Sequence, residues 1–207
     1  MARSVCILDY GSGNVKSVYN LLQELTPNVK ISNSPHDMEE ASHLILPGVG
    51  AFGAAMRKVK EKIPMDPLRE QVFGRRKPFL GICVGMQVLA TRGIEFGSHE
   101  GLGWIPGEVG ELSTGEFPLP HIGWNDISVT KEAPLMRELN RGVDFYFLHS
   151  FAFRPEDPSL VLATAEYGER FCSAIHLDNI MGVQFHPEKS QRAGKILMGN
   201  FLSLEEG

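Results

Sequence analysis

Short apolar runs alternate with helix-spaced apolar patterns through the first half of the chain, and that alternation most narrows what it can fold into. Ser4 to Leu8 reads as a buried strand. Val15 to Leu25 reads as a helix with Val15, Val18, Leu21, Leu22 and Leu25 on one side. Val29 to Ser32 and His43 to Leu46 are the next strands, the second ending abruptly at Pro47-Gly48-Val49-Gly50. Helical patterns cover Ala51 to Lys62 and Asp66 to Arg75, with Pro67 near a helix start. Pro78 to Ile82 is a fourth strand and Val84 to Thr91 a further helix. Strands joined through helices run parallel and need helices on both faces of the sheet.

The second half changes character. Val109 to Leu112, Asp126 to Val129, Asp144 to Leu148, Leu160 to Ala165, Arg170 to His176 and Met181 to Phe185 read as strands. Turn signals at Gly168-Glu169 and Asp178-Asn179 point to antiparallel hairpins. A helix from Gln191 to Leu202 follows, with Ser190 as its N-cap. No repeat, low-complexity tract or linker interrupts the pattern. The expectation is one α/β domain over residues 1–207, with a mostly parallel central sheet flanked by helices and antiparallel C-terminal strands.

Composition excludes several classes of function. The net charge is −5 and no long basic run is present, so nucleic acid is not an expected partner. Val5 to Leu8 is too short for a signal-peptide core, and no later stretch reaches the length of a membrane span. A soluble, cytoplasmic protein is expected. The three cysteines lack CxxC spacing, which fits a reducing compartment, and Cys6 and Cys172 sit in apolar runs as structural thiols. The seven histidines form no HxxxH pair and no Cys/His cluster, so neither a metal nor a cofactor is expected.

Cys83 has a different setting. Gly81-Ile82-Cys83-Val84-Gly85 lies between a predicted strand and a predicted helix, the thiol counterpart of the Gly-x-Ser-x-Gly nucleophile elbow. The flanking glycines relieve crowding at a sharp turn, and a helix start offers free N–H groups that favour thiolate. Downstream stands Gln184-Phe185-His186-Pro187-Glu188. Pro187 holds His186 extended, and residues two apart in extended chain share a side, so Glu188 can orient the imidazole. Acyl transfer also needs oxyanion donors. The backbone of Val49 and Gly50 in the glycine loop, and the N–H of Val84, lie at the same predicted sheet edge.

Together these motifs, in this order and over nearly the whole chain, resemble class I (triad-type) glutamine amidotransferases. Within that family, Asp9 to Asn14, Pro120 to Asn125 and His186 to Ser190 look like the glutaminase subunit of imidazole glycerol phosphate synthase. The resemblance implies a flavodoxin-like fold, L-glutamine as substrate, and a heterodimer with a (β/α)8-barrel cyclase of histidine biosynthesis. It implies that Gln87 holds the polar end of the substrate, that Glu95 meets its ammonium group, and that the backbone of His149, Ser150 and Phe151 contacts its carboxylate. It further implies that Asn14, Trp124 and Lys189 face the cyclase, and that activity stays low until the partner is loaded. Val84 in place of the usual leucine, and Phe151-Ala152-Phe153 in place of a tyrosine-rich run, depart from the family pattern. Three rival readings exist. A subunit of anthranilate or aminodeoxychorismate synthesis is opposed by the 9–14 and 121–125 segments. A cysteine peptidase on a related fold leaves Gln87 and the His-Pro-Glu tail without a role. A non-catalytic binding subunit does not require a complete triad.

Overall fold

A computed structural model describes residues 3–11, 14–139 and 142–205. Its strands are β1 (Val5–Ile7), β2 (Val29–Ile31), β3 (His43–Gly48), β4 (Phe79–Cys83), β5 (Arg92–Gly93), β6 (His99–Glu100) and β7 (Gly107–Glu111). They continue as β8 (His121–Asp126), β9 (Ser128–Val129), β10 (Asp144–His149), β11 (Phe151–Pro155), β12 (Val161–Tyr167), β13 (Glu169–Leu177) and β14 (Ile180–Val183). The helices are α1 (Val15–Gln23), α2 (Pro35–Glu40), α3 (Phe52–Lys62), α4 (Met65–Arg69), α5 (Val84–Gln87) and α6 (Gln191–Leu202). Ser12 and Gly13 of the Asp9–Asn14 segment lie outside the described residues.

Among the described residues, the main sheet runs β2-β1-β3-β4-β14-β13-β12-β9. Its first five strands are parallel, in the flavodoxin-like order 2-1-3-4-5 with β14 as the fifth, and its last three are antiparallel. Every residue of β3, β4 and β14 is buried, as a parallel sheet covered on both faces requires. Two smaller antiparallel layers complete the fold, β10-β8 and β11-β7-β5-β6, in which β5 and β7 alone pair in parallel. The registers Gly48↔Cys83 and Val183↔Ile82 bring the ends of β3, β4 and β14 to one edge. Cys6 and Cys172 are buried, and burial pushes both thiols up to about 12, which suits a structural role.

Four expectations need correction. The helix expected over 84–91 stops at Gln87, because the carbonyls of Val88, Leu89 and Ala90 accept bonds from the 102–105 backbone. The segment expected as a strand over 126–129 splits into the end of β8 and the short β9. The helix expected over 66–75 begins at Met65 and widens into a π-turn at Glu70–Gly74. Ser190 occupies the N-cap position of α6 without capping it. Its hydroxyl donates to His186 O at 2.6 Å and accepts from Tyr146 N at 3.0 Å, tying β10 to the turn after β14. One helix was absent from the sequence reading. Six-residue α2 buries only Met38 and is docked by Lys77, whose ammonium binds the carbonyls of Met38 and Glu39 at its C-terminal end.

Candidate active site

The chain reverses direction at Cys83. Its φ of 53° and ψ of −113° place a non-glycine residue in a strained conformation where β4 meets α5. The neighbouring glycines make the turn possible. A Cβ on Gly85 would lie 1.7 Å from Leu46 O, and one on Gly81 would lie 2.4 Å from Gly85 O. The sulfur thus sits at the mouth of the sheet edge, with Cys83 only 2% exposed. Because α5 has four residues, its dipole does little for the thiolate, and the expected contribution of a long helix start is absent.

His186 is wholly buried, and its N–H bonds Tyr146 O at 2.8 Å. Its Nδ1 lies 2.8 Å from Glu188 Oε1, and both side chains are fully enclosed. The geometry differs from the expected extended run, because Pro187–Lys189 forms a 3-10 turn and Glu188 reaches the ring from that turn. Asn14 Nδ2 donates to the same Glu188 oxygen at 3.3 Å. Burial alone would push the imidazole down. Cys83 and Glu188 outweigh it and raise the ring to about 10, so it is held as imidazolium at neutral pH. Cys83 acts on the ring as the group placed to bond its Nε2, although strict bond geometry is not met. His186 Nε2 is buried without a hydrogen-bond partner, while the thiol is directed at Leu148 O, 3.9 Å away.

In front of the sulfur lies a pocket of about 130 Å³, lined by Val49, Gly50, Cys83, Val84, Gln87, Glu95 and the 148–151 segment. That is the volume of about four waters, enough for one small polar molecule. All eight residues expected to bind substrate or stabilise an oxyanion line this one cavity. Gln87 donates to Phe151 O at 2.9 Å and to Gln184 Oε1 at 3.0 Å. Glu95 Oε2 accepts from Phe52 N at 2.7 Å, at the first residue of α3. Gly50 has a φ of +98° with open space where a side chain would stand, so its backbone can approach a ligand. Val84 is the first residue of α5, where a backbone N–H has no partner within the helix.

Three buried histidines, of which His149 lines this pocket, are held in the neutral state. Burial pushes His149 down to about 3, and His121 and His43 each down to about 4. The unfolded chain therefore binds more protons than the fold between about pH 4 and 6.5, and the stability present above 6.5 is lost as pH falls through that window. His186 does not oppose this, since its raised value gives a contribution complete below 6.5 and lost only as pH rises through about 10. The unfolding free energy from urea titration is expected to fall between pH 6.5 and 5, approaching about 1.4 kcal/mol per pH unit for each of the three histidines, and the midpoint falls with it. A flat midpoint across that interval would contradict their neutral burial.

Two of the three residues expected to face a partner meet at Tyr146. Trp124 on β8 is 49% exposed and stands edge-on to Tyr146 at 6.2 Å. The Lys189 ammonium lies over the same Tyr146 ring, 5.2 Å from its centroid. Asn14 differs, being buried against Glu188. Sequence reasoning missed Gln184, whose Nε2 donates to the Cys83 sulfur at 3.7 Å. The signal was present, because Gln184 and His186 stand two apart in extended chain and share a side.

The family model described as class I glutamine amidotransferase matches residues 6–203. The imidazole glycerol phosphate synthase subunit HisH of Zymomonas mobilis is 46% identical over 206 residues, covering 96% of this chain and 95% of that protein. The HisH subunit of Aquifex aeolicus is 45% identical over 196 residues, covering 94% of each. Among solved structures, a glutamine amidotransferase superposes with a TM-score of 0.73 at 21% identity, covering 96% of both chains. PurLQS from Thermotoga maritima superposes with a TM-score of 0.71 at 21% identity, covering 98% of both. These two structures bear on the fold.

Proposed function

The chain belongs to the class I glutamine amidotransferases, and from that premise we propose that Cys83, His186 and Glu188 carry its chemistry. It is a glutamine amidotransferase of the imidazole glycerol phosphate synthase kind, the glutaminase subunit that works with a second subunit of that synthase. The observation that carries the catalytic reading is the buried His186–Glu188 pair, 2.8 Å apart, behind a strained Cys83 at the mouth of a small pocket.

Glutamine enters with its side-chain carboxamide at the sulfur. Gln87 meets the polar end of the substrate, Glu95 its ammonium group, and the 149–151 backbone its carboxylate. His186 holds the thiol proton, and the thiolate adds to the carboxamide carbon. The N–H groups near Val49, Gly50 and Val84 receive the oxyanion. His186 then passes its proton to the departing nitrogen as the C–N bond breaks, which leaves ammonia and a γ-glutamyl thioester. Water, giving a proton to His186, hydrolyses the thioester to glutamate and frees the thiol. Glu188 holds the ring orientation and the imidazolium charge throughout.

Neutral ammonia is the useful nucleophile, and bulk water protonates it, so the product must pass into a docked partner. That partner is a (β/α)8-barrel cyclase, and the pair is a heterodimer in the cytoplasm. No described helix is long and apolar enough to cross a membrane. Exposed Trp124 and Lys189 form the docking face, and an exposed tryptophan is a frequent interface anchor. Asn14 connects that side of the molecule to Glu188. The test is genetic and enzymatic. The chain is expected to restore growth of a histidine auxotroph lacking its glutaminase subunit, and with the cyclase it should release glutamate from glutamine. Rescue of an anthranilate-requiring strain instead would overturn the assignment.

A further inference from the structure

Beside Cys83, outside the pocket lining, stands a polar group that the triad does not use. Gln184 is completely buried, its Nε2 is 3.7 Å from the sulfur, and it does not line the substrate pocket. A buried primary amide can usually be flipped end for end, which would turn its oxygen on the sulfur and repel a thiolate. Here the surrounding bonds forbid the flip. Gln184 Oε1 accepts from Gln87 Nε2 at 3.0 Å, and the same nitrogen donates to Phe151 O at 2.9 Å. A carbonyl only accepts, so Gln87 must present its NH2 group there, and Gln184 must then present its own to the sulfur.

The same carbonyl also fixes a run of bonds on its other side. Phe151 O also lies 2.9 Å from His149 Nδ1, which must therefore carry the proton. In the neutral ring Nε2 is then an acceptor, and it faces His121 Nδ1 at 3.2 Å, which must donate. His121 Nε2 is left as an acceptor for Asn125 Nδ2 at 3.3 Å, and that amide is oriented by its bond to Glu166 O at 2.9 Å. These bonds converge on Phe151 O and hold that acceptor in place, while the orientation of the Gln184 amide is set by Gln87.

On this basis we infer that Gln184 is a further residue of the catalytic apparatus, its locked amide donating an N–H to the Cys83 thiolate. Gln87, itself fixed by Phe151 O, acts as the positioning residue that keeps the amide in that orientation. The inference rests on Cys83 being the nucleophile. As a thiol the sulfur donates to Leu148 O, whereas a thiolate has no proton to give and takes the bond from Gln184. The amide therefore favours the reactive thiolate over the thiol. With α5 only four residues long, this donor supplies what a longer helix start would have provided.

The experiment follows alkylation of Cys83 in the full chain by iodoacetamide, read by mass spectrometry on the Cys83 peptide. The thiolate forms an S–C bond, the C–I bond breaks and iodide leaves. In Gln184→Met the rate at pH 7 is expected to fall roughly ten- to a hundredfold, the range for a hydrogen bond to a charged group. The loss should narrow as pH rises, because hydroxide then generates the thiolate without the amide. Gln184→Glu keeps the acceptor for Gln87 but sets a like charge beside the sulfur, and should fall at least as far. In the complex with the cyclase, glutamine kcat should fall with KM nearly unchanged, since Gln184 lies outside the pocket. Val183→Ala, a packing loss at the end of β14 next to Gln184, should lower the Tm without altering the alkylation rate.

Alkylation within twofold of the parent in both Gln184 variants would overturn the inference, as would a raised KM with unchanged kcat. If Gln184→Met does not fold, Gln184→Glu and Gln87→Met carry the same test, the latter by releasing the amide to flip. Glutamine turnover persisting in Cys83→Ala would instead overturn the nucleophile assignment. A dead Cys83→Ala beside a normally reactive Gln184→Met would remove only the role of Gln184.

Discussion

Cys83→Ala is expected to reduce glutamine-dependent synthesis by the complex roughly 10⁴-fold or more, while synthesis from added ammonia continues at the parental rate. Removing a covalent nucleophile eliminates the step rather than slowing it, and single losses from such groups reach this scale. The second half of the expectation carries more information. Cys83 is buried beneath its pocket, which neither Trp124 nor Lys189 lines, so the substitution should leave docking intact. The measurement is product formation with glutamine and, separately, with an ammonium salt at alkaline pH. Equal loss with both nitrogen sources would mean that the substitution had damaged the assembly and not the nucleophile.

Gly85→Ala is expected to cost about 3 kcal/mol or more of stability, or to prevent folding at 37 °C. Ordinary overpacking costs about 1–3 kcal/mol because side chains can move aside. Here the obstacle is main chain, since the added Cβ would meet Leu46 O at 1.7 Å and cannot turn away from it. Leu46 belongs to β3 and Gly85 to α5, so relief would require separating the helix from the sheet and would move the elbow with it. Urea unfolding of the variant gives the magnitude. Gly199→Ala, on α6 with open space at its Cβ, should change stability by less than about 1 kcal/mol and serves as the comparison. Parental stability in Gly85→Ala would show that the elbow is not packed as described.

Much of this architecture was visible in the order of residues, for physical reasons that also explain the gaps. β3 and β4 announced themselves because strands buried on both faces must be continuously apolar. The elbow was visible because its geometry demands glycine on either side of the nucleophile. β8 was not, since Gly123, Asn125 and Asp126 are poor strand formers, held in place by six residue pairs with β10. The length of α5 was hidden for a different reason. It is ended by carbonyl bonds to residues 102–105, which no local pattern encodes. The candidate triad was legible as three residue types, but the resting bond of the sulfur to Leu148, and the involvement of Gln184, depended on how β10 and β14 meet the elbow.

The pairing of β4 with β14 also sets a timetable. A ribosome delivers the strand bearing the thiol well before the strand leading to the imidazole, so β4 waits with one edge open. Any nascent or prematurely terminated chain therefore carries a sulfur with no base beside it, chemically idle however well its first half has folded. On the proposed triad, glutamine hydrolysis becomes possible only after the last parallel strand has slotted into place beside β4.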